Sequence, residues 1–349
     1  MHHATPSPDD HDHAHHAHES HAHHDGCVTC GCHAHAHDHA QAAARRIYVY
    51  SPSGAVQDKA AFRRGIRRLT ALGHQVEVDE AALARHTRFA GDDATRLQAV
   101  ARATASGADV ALISRGGYGL SRLLPHLDYA AIAQAIDGGL QYVGFSDFTA
   151  FQLAVLRQTG RITWAGAALG VDLGTREEPD EITLACLEDL LYRQGEGTGW
   201  RLGKAAKGAP VQPDLLIEDA RLWGGNLAVL VSLLGTPYWP DVEGGVLFLE
   251  DVAEHPYRIE RMLIQLEMAG VLQKQRAIVL GQFTDYQRVP QDRGFKLDTV
   301  VQGLRERLGV PVLTNLPFGH VPTKVSLPVG ATVSLQTQGR DALLVWGHL

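Results

Sequence analysis

The chain has 349 residues, of which 45% are hydrophobic, and a formal net charge of -7 with its histidines neutral. This is enough apolar material for one large core or two smaller ones, and we expect two domains. No apolar run reaches the roughly 18 residues that span a bilayer, the N-terminus lacks the apolar core of a secretory signal, and no basic surface is concentrated for phosphate contacts. We therefore expect a soluble, cytoplasmic protein that binds neither nucleic acid nor membrane.

Residues 1–44 differ from the rest of the chain, because histidine alternates there with Ala, Asp and Glu. Such a segment cannot bury enough apolar surface to order itself, and we expect it to be disordered. Cys27, Cys30 and Cys32 lie among these histidines and are suited to binding Zn, Ni or Cu. The tail is either a solvated linker with incidental metal affinity or a metal-storage or sensing segment. Cys186 is the one remaining cysteine, so the chain has no disulfide framework and fits a reducing compartment.

Beyond the tail, strand and helix patterns alternate. The predicted elements are a strand at 47–50, a helix ending before Gly73, a strand at 74–78, a helix at 93–106, a strand at 109–113, a helix at 129–136, a strand at 140–144 and a helix at 148–159. Alternation of this kind predicts an α/β fold with a parallel sheet and helices on both faces. We assign residues 45–170 to this Rossmann-like domain.

The apolar periodicity weakens between residues 171 and 213, where we place the interdomain connection. From residue 214 to the end, strand and helix patterns resume and predict a smaller, mixed α/β domain. The predicted strands are at 215–218, 245–249, 277–280, 310–313, 331–335 and 342–346, and the clearest helical pattern ends before Gly270.

Three polar residues follow apolar, strand-like runs and supply the parts of a catalytic triad. Ser146 stands at a strand-to-helix turn, where a nucleophile is exposed. His320 is the candidate base, since an imidazole can take the hydroxyl proton near neutral pH. Glu250 is the candidate carboxylate that fixes the tautomer of the imidazole. Taken singly, Ser146 is more simply explained as a helix N-cap, Glu250 as a solvated strand end and His320 as a structural hydrogen-bonding group.

Acyl transfer also needs donors for the charge that develops on the carbonyl oxygen. The backbone N–H groups of Asp147 and Gly117 are the natural donors, because a loop of glycines lets the backbone approach a substrate closely. The same loop could instead bind a nucleotide phosphate, although it lacks the GxGxxG and GKS/T spacings.

Five motifs in chain order give the sequence a specific resemblance. They are SRGGYG at 114–119, GFSDFTA at 144–150, WGGNL at 223–227, LED at 249–251 and FGH at 318–320. In this order the chain, from about residue 46 to its end, resembles the LD-carboxypeptidases, serine peptidases that include murein tetrapeptide carboxypeptidases and microcin-immunity relatives. The resemblance implies that Ser146 is the nucleophile, His320 the base and Glu250 its orienting carboxylate. It further implies a homodimer that removes the terminal D-alanine from a diamino acid in cytoplasmic muropeptides during peptidoglycan recycling, without a cofactor.

Residues that recognise the substrate are harder to predict. Tyr118, Asn226 and Arg258 are candidates because they lie near the motifs, although Arg258 could equally pair with Glu254 on the surface.

Three alternative functions remain open from the sequence. The first is a microcin-immunity-type hydrolase of another amide, such as an acyl-sulfamoyl adenylate, with Trp164 or Trp223 stacking on the nucleobase of that substrate. The second is a metal-binding protein that acts through its tail. The third is a nucleotide-binding module that uses the glycine loop.

Overall fold

The computed structural model of the protein describes residues 43–203 and 214–349. Its first elements are β1 (Arg46–Tyr50), α1 (Lys59–Ala71), β2 (Gln75–Val78), α2 (Asp93–Ala105), β3 (Val110–Ile113), α3 (Tyr129–Asp137), β4 (Gln141–Gly144), α4 (Thr149–Thr159) and β5 (Thr163–Ala165). There follow α5 (Glu181–Tyr192), β6 (Gly197–Arg201), β7 (Leu215–Asn226), α6 (Leu227–Ser232), β8 (Val246–Val252), α7 (Pro256–Met268), β9 (Ala277–Thr284), α8 (Leu297–Arg307), β10 (Val312–Leu313), β11 (Leu327–Val329), β12 (Thr332–Gln338) and β13 (Asp341–Val345).

The first sheet has the strand order β11-β5-β4-β3-β1-β2 in the described part of the chain, and β1 to β5 are parallel. Alternate residues of its strands enter two cores. Tyr48 and Ile113 pack with α2, α3 and α4, whereas Val49 and Leu112 pack with α1 and α5. Helices therefore cover both faces, as predicted. The order β2-β1-β3-β4-β5 reverses between β1 and β3, and ligands bind at the carboxyl edge beside such a point.

The second sheet has the order β10-β9-β8-β7-β12-β13-β6. Strands β7 to β10 pair in parallel, and β12, β13 and β6 extend the sheet in antiparallel pairs. The prediction of a parallel-sheet domain followed by a mixed α/β domain is confirmed.

Two features cross the boundaries that we predicted. Strand β11 belongs by sequence to the second domain but pairs antiparallel with β5 in the first sheet. The predicted connection at 171–213 includes α5, which buries Leu187, Leu190 and Leu191, and β6, which pairs with β13. These elements attach the two halves of the chain to each other.

Residues 1–42, with their predicted disorder and metal ligands, lie outside the described residues. Within the described ranges, no helix is long and apolar enough to cross a membrane.

Candidate active site

The turn after β4 presents Ser146 at the carboxyl edge of the first sheet. Ser146 has a φ of 66°, a left-handed conformation that costs energy in a residue with a side chain. A Cβ built on Gly144 would lie 2.6 Å from Cδ1 of Ile113, so the chain before the turn packs too closely for a side chain. A strained serine between a parallel strand and the following helix α4 is the geometry of a nucleophile elbow.

The structure brings the three predicted triad residues together. Nε2 of His320 lies 3.1 Å from Oγ of Ser146, and its Nδ1 lies 2.8 Å from Oε2 of Glu250. In the imidazole tautomer that carries its proton on Nδ1, Nδ1–H donates to Glu250 and Nε2 accepts from the serine hydroxyl. The contacts join side chains 174 and 70 residues apart in sequence. They form a chain from carboxylate through imidazole to hydroxyl.

Glu250 is fully buried near the carboxyl end of β8, and Asn226 on the neighbouring strand β7 forms a hydrogen bond with it. The Nδ2 group of Asn226 donates to Glu250 Oε1 at 3.1 Å and to Asp251 Oδ1 at 2.9 Å. With one oxygen bound by Asn226, Glu250 presents the other to His320. Burial raises the pKa of Asp251 to about 6, and the charge of Glu250 acts in the same direction.

The glycine-rich loop after β3 lies directly against the serine. A Cβ built on Gly116 would lie 2.7 Å from Cβ of Ser146 and 2.9 Å from its Oγ. Gly117 is exposed with a φ of 128°. This close approach suits the oxyanion-hole role predicted for the N–H groups of Gly117 and Asp147, which stays a prediction.

The side chain of Asp147 ties the loops of this edge together. Its carboxylate accepts hydrogen bonds from the hydroxyl of Ser53, after β1, and from the N–H of Leu120, after β3. Burial raises the pKa of this carboxyl. Three loops that surround Ser146 are thus joined at one buried group.

Sequence reasoning missed Phe145, Asp172 and Lys324. The ring of Phe145 contacts the imidazole of His320, with centroids 4.9 Å apart, and Nζ of Lys324 lies 3.3 Å from the centroid of the same ring. Lys324 also forms a buried ion pair with Asp172, at 2.8 Å. A lysine four residues after the FGH motif was the available signal, but its partner is 152 residues away in sequence.

The three residues that we predicted to bind the substrate differ in exposure and in hydrogen-bonding partners. Tyr118 is 47% exposed on the glycine-rich loop. Asn226 is only 5% exposed, and its amide is engaged by Glu250, Asp251 and the N–H of Val229. Asn226 therefore orients Glu250, and its predicted contact with the substrate stays a prediction. Arg258 forms an ion pair with Glu254, four residues before it, which is the alternative that we considered from the sequence.

Neither tryptophan that we considered for stacking is accessible. Trp164 is 7% exposed and packs edge-on against Trp346, whereas Trp223 is fully buried and donates to Gln275. Cys27, Cys30 and Cys32 lie outside the described residues. In residues 43–203 and 214–349, no group of three or more His, Cys, Asp or Glu side chains could hold a metal ion.

A nucleophile elbow on a parallel sheet, facing a glutamate on β8 of the second sheet and a histidine in the loop after β10, defines a two-domain α/β serine hydrolase. Residues 47–166 match the LD-carboxypeptidase N-terminal domain, and residues 219–335 match the LD-carboxypeptidase C-terminal domain. The chain belongs to the LD-carboxypeptidase family and is a serine carboxypeptidase.

Individual relatives agree with this assignment. The chain is 33% identical over 297 residues to a putative carboxypeptidase of Synechocystis, and the aligned region covers 83% of this chain and 91% of that protein. It is 29% identical over 280 residues to a probable murein peptide carboxypeptidase of Bacillus subtilis, covering 80% and 85% of the two chains. The crystal structure of muramoyltetrapeptide carboxypeptidase from Oxalobacter formigenes matches with a TM-score of 0.77 at 36% identity, over 86% of this chain and 98% of that one.

The family also includes a protein with another role. The microcin C7 self-immunity protein of Escherichia coli is 26% identical over 260 residues, covering 67% of this chain and 73% of that protein. Membership of the family therefore defines the chain as a hydrolase more firmly than it defines the substrate.

Proposed function

We propose that this protein hydrolyses the amide between the L-centre of a diamino acid and the terminal D-alanine of murein tetrapeptides. The observation that carries the proposal is the chain of contacts from Glu250 through His320 to Ser146. The names of the relatives from Bacillus subtilis and Oxalobacter formigenes support the substrate class. The proposed setting is peptidoglycan recycling in the cytoplasm, by a homodimer.

Acylation begins at Ser146. Nε2 of His320 takes the hydroxyl proton as Oγ attacks the carbonyl carbon, and the imidazolium that forms is stabilised by Glu250. The oxyanion receives hydrogen bonds from the N–H groups of Gly117 and Asp147. When the tetrahedral intermediate collapses, His320 gives its proton to the nitrogen of D-alanine, which leaves, and an ester on Ser146 remains.

Deacylation repeats these steps with water. His320 takes a proton from a water molecule that attacks the ester carbonyl, and returns it to Oγ as the acid product leaves. Catalysis in this scheme needs no cofactor, because the imidazole activates both nucleophiles. The N-terminal tail, with any Zn, Ni or Cu that it binds, is an accessory.

The test is the release of D-alanine from L-Ala-D-Glu-meso-diaminopimelyl-D-Ala, with and without EDTA. We expect release by the wild type at the same rate in both conditions and no release by Ser146→Ala. Abolition by EDTA would overturn the mechanism and direct attention to the tail. No release by a folded wild type would mean that the triad acts on another amide, and the acyl-sulfamoyl adenylates of the microcin-immunity type would be assayed next. The burial of Trp164 and Trp223 gives that alternative no stacking residue at either position we considered.

A further inference from the structure

Two arginines border the glycine-rich loop. Arg88 is exposed in the loop after β2, and its guanidinium carbon lies 5.6 Å from the centroid of the Tyr118 ring. Arg115 is half-buried two residues after β3, and its Nη1 donates to the carbonyl of Ala55 at 3.0 Å. Burial lowers the pKa of Arg115, and the positive charge of Arg88 acts in the same direction. Two like charges therefore lie at one edge of the site.

A short series of contacts connects Arg115 with the nucleophile. A Cβ built on Gly54 would lie 3.6 Å from the guanidinium carbon of Arg115 and 2.9 Å from the carbonyl oxygen of Gly116. Gly116 in turn packs against Ser146, as described above. Gly54 and Gly116 thus lie between the guanidinium and the catalytic serine.

Neither arginine has an acidic partner among the described residues. The other arginines of this edge do, since Arg96 and Arg122 pair with Asp93, and Arg102 pairs with Asp79. The charge of Arg88 acts on the carboxylate of Asp147, but that group is buried and already accepts from Ser53 and Leu120. A partly buried cation without a counter-ion is unfavourable, and most donors of Arg115 remain available. Both facts indicate an anionic ligand.

We propose that Arg88 and Arg115, beside the ring of Tyr118, form a subsite for a carboxylate of the peptide substrate. A guanidinium matches a carboxylate with paired hydrogen bonds, and two of them at one edge select for negative charge. This inference rests on the proposed function and adds a recognition site to it. The carboxylate is either that of the terminal D-alanine or the distal one of diaminopimelate, and the same experiment distinguishes them.

The experiment compares three peptides. They are the tetrapeptide with meso-diaminopimelate and a free terminal carboxylate, the same peptide ending in D-alaninamide, and the peptide with L-lysine in place of diaminopimelate. The full-length wild type, Arg115→Gln, Arg88→Gln and the control Arg85→Gln are assayed for kcat/KM. Arg85 is exposed in the same loop as Arg88 and forms no ion pair among the described residues. Binding of the three peptides to Ser146→Ala, with and without Arg115→Gln, is measured by calorimetry.

We expect Arg115→Gln to lower kcat/KM and binding by about 10-fold or more for peptides that carry the recognised carboxylate. The peptide that lacks the recognised carboxylate should be unaffected by the substitution. If that is the D-alaninamide peptide, the arginines bind the terminal carboxylate; if it is the lysine peptide, they bind the distal carboxylate of diaminopimelate. Arg88→Gln should act in the same direction and Arg85→Gln should have no effect. Equal losses on all three peptides, or no loss beyond that of Arg85→Gln, would overturn the subsite. Failure of the wild type to turn over any peptide would instead count against the proposed function, and the calorimetry would still decide whether the arginines bind a carboxylate.

Discussion

Nζ of Lys324 lies 3.3 Å from the centroid of the Phe145 ring and forms a buried ion pair with Asp172. Burial lowers the pKa of this lysine, and Asp172 acts against that change. Phe145 precedes Ser146 in the chain, and its ring contacts the imidazole of His320. Lys324 therefore supports, through this ring, both the turn that carries Ser146 and the loop that carries His320. The pair also joins the two halves of the chain.

Replacing this lysine should be costly. Lys324→Met leaves the Asp172 carboxylate buried without its cation, and we expect a loss of about 3 to 5 kcal/mol in the free energy of unfolding. Lys324→Met/Asp172→Asn should recover a large part of the loss, because both charges are then gone. Urea denaturation gives the values, with Lys296→Met as the control, since the exposed pair of Lys296 and Asp298 should contribute less than about 1 kcal/mol. Equal losses for Lys324→Met and the control would contradict this account.

The negative charge of Glu250 should matter more than its shape. Glu250→Gln preserves the size of the side chain but removes the charge that stabilises the imidazolium of His320. We expect kcat to fall by about 10²- to 10⁴-fold, as when a triad carboxylate is made neutral. Steady-state kinetics on the tetrapeptide gives kcat, and circular dichroism verifies the fold. A decrease of less than about 3-fold would remove Glu250 from the mechanism.

Residue 116 must be glycine because there is no room for a side chain beside Ser146, and its backbone conformation does not require glycine. In Gly116→Ala the new Cβ would lie 2.7 Å from Cβ of Ser146, so the loop or the serine must move. A displacement near 1 Å costs about 10²-fold in rate, and we expect kcat to fall by that order. Gly309→Ala is the matched control, because a Cβ there meets nothing within 4 Å. Full activity of Gly116→Ala would show that the loop is not held against the nucleophile.

The pH dependence of stability should reveal Asp251. Its folded-state pKa of about 6 is above that of the unfolded chain, so the folded form binds the proton more tightly. This contribution is fully present below about pH 4 and is lost as the pH rises through about 6. Asp251→Asn, which cannot ionise, should flatten the dependence of the free energy of unfolding between these values. An unchanged slope in the variant would assign the dependence to other groups.

The sequence predicted the elements that have strong local patterns. Helix α2 begins at the predicted Asp93, and β4 ends at the predicted Gly144, because apolar periodicity and capping residues act over a few positions. The positions of Ser146, Glu250 and His320 came from motifs in known order. Their distances could not come from the sequence, since they depend on how two sheets pack.

What the sequence did not predict depends on contacts between distant segments. Strand β11 is three residues long and is stabilised by pairing with β5, so it has little local signal. The hydrogen bonds from the Asn226 amide to Glu250 and Asp251 could not be predicted either, because they depend on the pairing of β7 with β8. Arg88 and Arg115 are 27 residues apart in sequence, and only the loops of the sheet edge bring their charges together.

The most direct test of the central claim is stereochemical. Release of the terminal alanine is measured from the tetrapeptide ending in D-alanine and from its epimer ending in L-alanine, with the wild type and Ser146→Ala. We predict release by the wild type from the D-alanine peptide alone, and by Ser146→Ala from neither. Comparable release from both epimers, or release by Ser146→Ala at the wild-type rate, would contradict it.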